Sequence, residues 1–148
     1  MEIVSGMSEP EIVFSPWKPW SEREDIDVAN RPGVYLLAHF AHGIIPQGRA
    51  DPLDPNIVYI GETHGRTLAE RWREFSRSAA TGKKAHAGGR SYHKTFKKLR
   101  DDLYVAAFSP NQPDWTSRCF SFFIRYVEWK LIWDYARRHK ADKLCNKE

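Results

Sequence analysis

Two short runs rich in β-branched and aromatic residues, separated by a proline-rich segment, limit how this chain can fold. GVYLLAHF, residues 33–40, follows a Pro-Gly break, and IVYIG, residues 57–61, follows a segment with three prolines. Runs of this kind bounded by turn residues predict β-strands. Consecutive strands joined by a loop usually pair antiparallel, so we expect an antiparallel pair connected by a loop over residues 43–56.

Helical periodicity dominates the rest of the chain. In residues 66–80 the apolar side chains recur at helical spacing, and Thr67 with Glu70 forms a capping-box signature. On the same helical wheel Arg71 lies about 70° from the centre of the apolar stripe, so we expect it to be half-buried. The other predicted elements are a basic helix over residues 90–102, a third strand over 103–109 and a long helix over 117–140.

These elements predict an α+β fold with a small, mainly antiparallel three-stranded sheet flanked by helices. Residues 1–32 are rich in proline, tryptophan and acids, and we expect them to form an irregular arm. Residues 33–148 form the predicted domain, because 148 residues suffice for one core and are too few for two.

The long helix carries apolar residues on two faces, so we expect it to lie between the sheet and a further layer. One stripe contains Phe120, Ile124, Val127, Leu131 and Tyr135; the other contains Phe122, Tyr126, Trp129 and Trp133. Glu128 and Asp134 flank the first stripe on opposite sides, at about equal angles. A carboxylate in such a position needs a partner, and periodicity does not choose between the two acids.

Composition restricts the setting in which the protein works. No apolar run approaches the roughly 20 residues needed to span a bilayer. The acidic amino terminus is unlike a signal peptide. Cys119 and Cys145 are far apart and form no metal-binding motif. We expect a soluble cytoplasmic protein without a membrane partner and with reduced thiols.

Charge is segregated along the chain. Residues 64–100 hold eleven Lys or Arg and only two Asp or Glu, whereas residues 1–62 have a net charge of −6 and the whole chain one of +4. A compact basic segment attracts phosphate backbones, although a solvated helix face can have the same composition.

Taken in order, GVY, YIG, the helix bearing Arg71, the late helix bearing Glu128 and a closing Asn146 resemble the GIY-YIG nuclease family. The resemblance extends from Gly33 to Asn146 and implies that residues 33–148 form a catalytic domain. Leu68–Arg71 matches the family pattern L-x-x-R, and Glu128–Ile132 matches the context of a metal-binding glutamate. This match favours Glu128 over Asp134.

The resemblance implies an endonuclease that hydrolyses DNA phosphodiester bonds with a single Mg²⁺ or Mn²⁺ ion bound by Glu128. Arg71 would grip the scissile phosphate. Tyr35 or Tyr59 would act as the base, and we favour Tyr35. His86 matches a family histidine, with His93 as its rival, and would relay the proton. Asn146 would hydrogen-bond the glutamate or a tyrosine.

Substrate binding is assigned to Gly61 and to the basic segment. Lacking a side chain, Gly61 would let the backbone turn sharply and a phosphate approach. The expected phosphate contacts are Lys83, Lys84, Arg90, Lys94, Lys97 and Lys98.

Two departures from the family leave other functions open. Tyr35 and Tyr59 are separated by a longer segment than in compact members, and Glu62 follows YIG where excision-repair members have lysine. A nucleic-acid-binding module without turnover is therefore the alternative, and a protein-interaction domain using the six tryptophans is a third. Substrate specificity, biological role and oligomeric state are not determined by the sequence.

Overall fold

The computed structural model describes residues 8–82, 86–140 and 143–146. One antiparallel sheet has helices on both faces, as the predicted α+β class requires. The strands are β1 (Lys18–Pro19), β2 (Gly33–His39), β3 (Ile57–Thr63) and β4 (Leu103–Phe108), and the helices are α1 (Leu68–Thr81), α2 (Ala87–Phe96) and α3 (Ser117–Arg138). Short 3-10 helices cover Trp20–Asp25 and Ala41–Gly43.

The sheet has four strands in the order β1-β4-β2-β3, so the prediction of three strands was wrong by one. The additional strand, β1, pairs Lys18 and Pro19 with β4. Two residues are too few to show a strand period, and proline, which has no N–H to donate, is tolerated only at a sheet edge. The three predicted strands form the rest of the sheet.

The central strand β2 is buried along its whole length because both faces of the sheet are covered. Val34 and Leu36 pack with the residues of α3, whereas Tyr35 and Leu37 pack with those of α1 and α2. The alternation of side chains along a strand therefore divides β2 between two cores. This places the side chain of Tyr35 in the layer beneath α1 and α2.

Helix α1 begins as the capping box predicts. The Thr67 hydroxyl accepts a hydrogen bond from the Glu70 N–H at 3.2 Å, and the Glu70 carboxylate accepts one from the Thr67 N–H at 2.9 Å. The helix ends at Thr81 and is capped by Gly82, which has the left-handed conformation with φ of 76°. Leu68, Trp72, Phe75 and Ala79 form its buried stripe.

Helix α2 begins three residues earlier than the predicted segment 90–102 and ends at Phe96. His86 caps it, because its imidazole Nδ1 accepts a hydrogen bond from the Gly89 N–H at 3.1 Å. Gly88 and Gly89 lie in the first turn of α2. A Cβ at Gly89 would lie 2.6 Å from Ser78 Cβ, so this glycine permits close packing of α2 on α1.

The second apolar face of α3 is not covered by another layer in the described part of the chain. Ile124, Val127, Leu131 and Tyr135 are buried against the sheet, as predicted. Phe122, Tyr126, Trp129 and Trp133 are exposed, so the expectation that α3 lies between two layers was wrong. None of the described helices is both long and apolar enough to cross a membrane.

Much of the amino-terminal segment packs onto the domain. Phe14 and Trp17 are buried in the core beneath α3, and Trp20 and Ile26 in the core beneath α1 and α2. The Ser15 N–H donates to the Ala107 carbonyl at 2.9 Å, which ties this segment to β4. Residues 14–29 therefore contribute to the cores that support the site.

Candidate active site

Tyr35 and Tyr59 lie side by side on neighbouring strands. In the register of β2 and β3, Tyr35 is opposite Gly61 and Tyr59 is opposite Leu37, and both rings point towards α1 and α2. The ring centroids are 5.9 Å apart. Tyr35 is fully buried and Tyr59 nearly so.

Gly61 makes room for both tyrosine rings. A Cβ at this position would lie 2.5 Å from Tyr59 Cε2 and 2.7 Å from the Tyr35 hydroxyl. β3 continues through Gly61 to Thr63, so the predicted sharp turn at Gly61 was wrong. The tyrosine rings fill the space beside this residue, which also removes the argument that a phosphate approaches there.

His86 connects the start of α2 to the tyrosine pair. Its Nε2 is 3.0 Å from the Tyr35 hydroxyl oxygen, and its Nδ1 accepts the Gly89 N–H. A neutral imidazole that accepts at Nδ1 carries its proton on Nε2, so Nε2–H donates to Tyr35. His93 is elsewhere: its Nδ1 is 2.9 Å from the Ala79 carbonyl oxygen.

Burial changes the proton affinity of all three groups. Burial, and next the neighbouring Tyr59, raises the pKa of Tyr35 well above its usual value. Burial and then the Glu128 carboxylate raise the pKa of Tyr59. Burial, followed by the positive charge of Arg71, lowers the pKa of His86 to about 3. His86 is therefore neutral near pH 7, consistent with the tautomer assigned from its hydrogen bonds.

Arg71 is half-buried on α1, as the helical wheel predicts; Arg73 and Arg77 are exposed. Its Nη1 donates to the Glu74 carboxylate at 2.9 Å, and Glu74 also pairs with Arg66. The charge of Arg71 acts on both tyrosines, on His86 and on Glu128. Arg71 is thus an electrostatic neighbour of Tyr35, Tyr59, His86 and Glu128.

Glu128 approaches this group from α3, on the other face of the sheet. Burial, and next the Glu62 carboxylate, raises the pKa of Glu128 to about 7. Among the described residues none donates a hydrogen bond to it. Asp134 is paired with Lys130 at 2.7 Å and with Arg137 at 3.2 Å. Of the two acids, only Glu128 lacks such a partner.

Glu62 and His64 are the site residues that sequence reasoning missed. The His64 imidazole Nδ1 lies 3.0 Å from Glu62 Oε2, and both side chains line a cavity of about 240 Å³ together with Arg66 and Arg71. The excision-repair members of the family that the sequence resembles have lysine where this chain has Glu62. Glu62 follows directly after Gly61 in β3, and Gly61 faces the tyrosines. This position in the sequence is the signal that could have placed Glu62 beside the site.

Among the described residues Asn146 forms no hydrogen bond with Glu128 or a tyrosine, so that expectation was wrong. Its side-chain amide donates to the Ile60 carbonyl at 2.7 Å and accepts from the Ile60 N–H at 3.0 Å. The Cys145 N–H donates to the Val58 carbonyl at 2.6 Å. Residues 145 and 146 therefore bind the backbone of β3 on both sides of Tyr59.

The basic residues assigned to DNA binding are on the surface of α2 and the turn after it. Arg90, Lys94, Lys97 and Lys98 are exposed and form no ion pair with any described acid. Arg90, Lys94 and Lys97 line a groove of about 600 Å³ that is also lined by Asn146. Lys83 and Lys84 lie outside the described residues.

The donor set of the site suits a hard divalent cation. In the described part of the chain no three His, Cys, Asp or Glu side chains are grouped as metal ligands. Mg²⁺, however, commonly binds through one or two carboxylates and keeps several waters. Glu128 and Glu62 are two carboxylates close enough to repel each other, and a cation would relieve that repulsion.

Comparison of the chain with protein-family models, with curated proteins and with solved structures found no match.

Proposed function

We propose that this protein is a GIY-YIG-type endonuclease that hydrolyses DNA phosphodiester bonds with one Mg²⁺ or Mn²⁺ ion, in the cytoplasm. The observation that carries the proposal is the mutual electrostatic contact of Tyr35, Tyr59, Arg71 and Glu128. These residues come from two strands and two helices. Burying polar and charged side chains together costs free energy, and such clusters are typical of functional sites.

Each group has a distinct role in the proposed reaction. Glu128, supported by Glu62, would hold the cation, and Arg71 binds the non-bridging oxygens of the scissile phosphate. Tyr35 acts in its phenolate form, after its own hydroxyl proton has been released to solvent, and takes the proton of the attacking water to become a neutral phenol. The Nε2–H of His86 stabilises the phenolate before this step by hydrogen bonding to its oxygen. Tyr59 packs beside Tyr35 and holds its ring.

The assigned tautomer changes one expected role. Because the Nε2 of His86 already carries a proton, His86 does not accept the Tyr35 proton, so the proton-relay role is replaced by that of a hydrogen-bond donor. The bound cation would supply positive charge that offsets the charge building on the phosphate oxygens and lowers the pKa of neighbouring hydroxyl groups.

Cleavage of supercoiled plasmid in the presence of Mn²⁺ tests this proposal. Glu128→Ala should abolish nicking, whereas Asp134→Ala, which removes an ion-paired acid from the same helix, should leave it unchanged. Equal cleavage by Glu128→Ala and the native protein would refute the metal assignment. Comparing Tyr35→Phe with Tyr59→Phe at saturating DNA identifies the base. The tyrosine whose replacement causes the larger loss of rate is the base.

The alternative is a nucleic-acid-binding module without turnover. It is favoured by the raised pKa values of both tyrosines and by Glu62 in place of lysine. The native protein would then bind plasmid in a salt-dependent manner and produce no nicks with Mg²⁺ or Mn²⁺. Failure to bind DNA at any salt concentration would contradict both functions.

A further inference from the structure

The exposed face of α3 carries four large aromatic side chains in a row. This aromatic stripe consists of Phe122, Tyr126, Trp129 and Trp133, whose exposed fractions range from 44% to 62%. At 100° per residue the four positions lie within about 60° of one another on the helix surface. A contiguous apolar patch of this kind on a protein surface usually marks an interaction site.

The spacing of the rings is regular. Successive members are three or four residues apart, which corresponds to about 4.5–6 Å along the helix axis and about 16 Å over the whole stripe. Because the helix is continuous from Ser117 to Arg138, the rings are held in a fixed row. Such a row offers one aromatic face for each of about four successive bases.

Positive side chains border the stripe. The Arg118 guanidinium lies 5.5 Å from the Phe122 ring centroid, and that of Arg137 lies 5.7 Å from the Trp133 centroid. Arg125 and Lys130 lie within about 70° of the centre of the stripe. The stripe is therefore flanked by four cations.

Three acids act on the cations of this face. The Glu128 carboxylate, on another side of the helix, attracts Arg125. Asp134 is already paired with Lys130 and Arg137, and Glu9 accepts a hydrogen bond from the Tyr126 hydroxyl at 3.4 Å. The positive charges remain in excess, which favours an anionic partner.

A second copy of the chain fits this surface poorly. If two α3 helices packed antiparallel, with Phe122 against Trp133, Arg118 of each copy would meet Arg137 of the other. Parallel packing would place each arginine against the same arginine of the other copy. Both arrangements bring like charges together at the ends of an apolar interface, which costs free energy.

Aromatic rings with interleaved arginines are the features on which unpaired bases stack, while cations hold the phosphates. Duplex bases have their faces covered by their neighbours and could not use the rings. We propose that the aromatic stripe of α3 binds single-stranded nucleic acid by base stacking. This binding does not depend on the cleavage proposed above, because the stripe lies about 130° around the helix from Glu128.

Fluorescence anisotropy with a labelled oligothymidylate of about twelve nucleotides tests the proposal. The double variant Trp129→Ala, Trp133→Ala should weaken binding about tenfold or more, because stacking on one ring contributes severalfold or more to affinity. Its affinity for a duplex of equal length should change less than twofold. Ile44→Ala is the matched control, since Ile44 is 77% exposed and lies outside the stripe; it should change neither affinity.

The intrinsic tryptophan fluorescence provides a second readout. Oligothymidylate should quench the native emission, and the double variant should lose most of that quenching. Native protein that does not bind the oligonucleotide, or a double variant that binds it normally, would overturn the proposal. So would sedimentation showing a native dimer that the double variant converts to a monomer, because a second copy would then occupy the stripe.

Plasmid nicking by the same proteins separates this proposal from the nuclease proposal. The double variant should nick a duplex plasmid at the native rate, and Glu128→Ala should bind oligothymidylate with native affinity. If the native protein does not nick plasmid, the nuclease proposal fails, and the proposal that the stripe binds single-stranded nucleic acid is unaffected.

Discussion

The unpaired carboxylate of Glu128 leads to a stability prediction that does not require catalysis. We predict that Glu128→Gln stabilises the metal-free protein at alkaline pH and has no such effect in acid. The native fold raises the pKa of this carboxyl from 4.5 to about 7, chiefly by burial and then by the charge of Glu62. A group with a raised folded-state pKa contributes stability below its unfolded pKa, and that contribution is lost as the pH rises through the folded value.

The magnitude follows from the two pKa values. Between pH 4.5 and 7 the folded protein retains a proton that the unfolded chain has released. The associated loss of unfolding free energy is about 3 kcal/mol at most, because each tenfold difference in proton affinity corresponds to about 1.4 kcal/mol. Glutamine does not titrate, so the variant should be more stable than the native protein by up to about this amount at pH 8.

Urea unfolding of both proteins with a chelator, from about pH 4 to 8, measures this difference. All other titrating groups, including His86, are common to the two proteins and cancel in the comparison. Adding Mn²⁺ should then stabilise the native protein alone and narrow the gap at pH 8. A difference that does not change with pH, or a variant less stable at pH 8, would refute the reasoning. Glu62→Gln is the control that should recover part of the effect, because it removes the second cause of the raised pKa.

Three further predictions concern the proposed nuclease. Arg71→Ala should lower the nicking rate about a hundredfold or more with little change in DNA affinity or in stability, because Arg66 remains to pair with Glu74; a change in affinity alone would count against a catalytic role. His86→Asn should keep α2 capped but lose nicking, whereas His86→Ala should lose nicking and also about 1 kcal/mol of stability in urea unfolding. If either variant nicks plasmid at the native rate, the role assigned to the Nε2–H of His86 is wrong. Gly61→Ala should cost about 1–3 kcal/mol of stability and impair nicking, because the new Cβ would overlap both tyrosine rings; a stable, active variant would show that the rings can move apart.

The local elements of this fold could be predicted because their signals are local. The three longer strands show β-branched runs between turn residues, and α1 shows both its capping box and its stripe. The half-burial of Arg71 follows from its angle on the same wheel. The start of α2 was missed because histidine is not among the residues that usually cap helices, although its Nδ1 does so here.

Contacts between distant segments could not be read from the sequence in the same way. Periodicity shows that α3 has two apolar faces, but not whether another layer exists to cover the second face. The repulsion between Glu62 and Glu128 joins two positions far apart in the chain and depends on how α3 lies against the sheet. The binding of Asn146 to the backbone of Ile60, rather than to an acid or a phenol, likewise depends on where that segment meets β3.

The contact of Asn146 with Ile60 also covers part of the exposed edge of the sheet. A strand at the margin of a sheet displays unsatisfied N–H and C=O groups that can recruit another chain into a growing fibril. Asn146 and Cys145 occupy the groups of Ile60 and Val58 that such a recruit would need. The two residues that bind the strand of Tyr59 therefore also block edge-to-edge pairing with another chain. Removing them would expose this edge and favour aggregation.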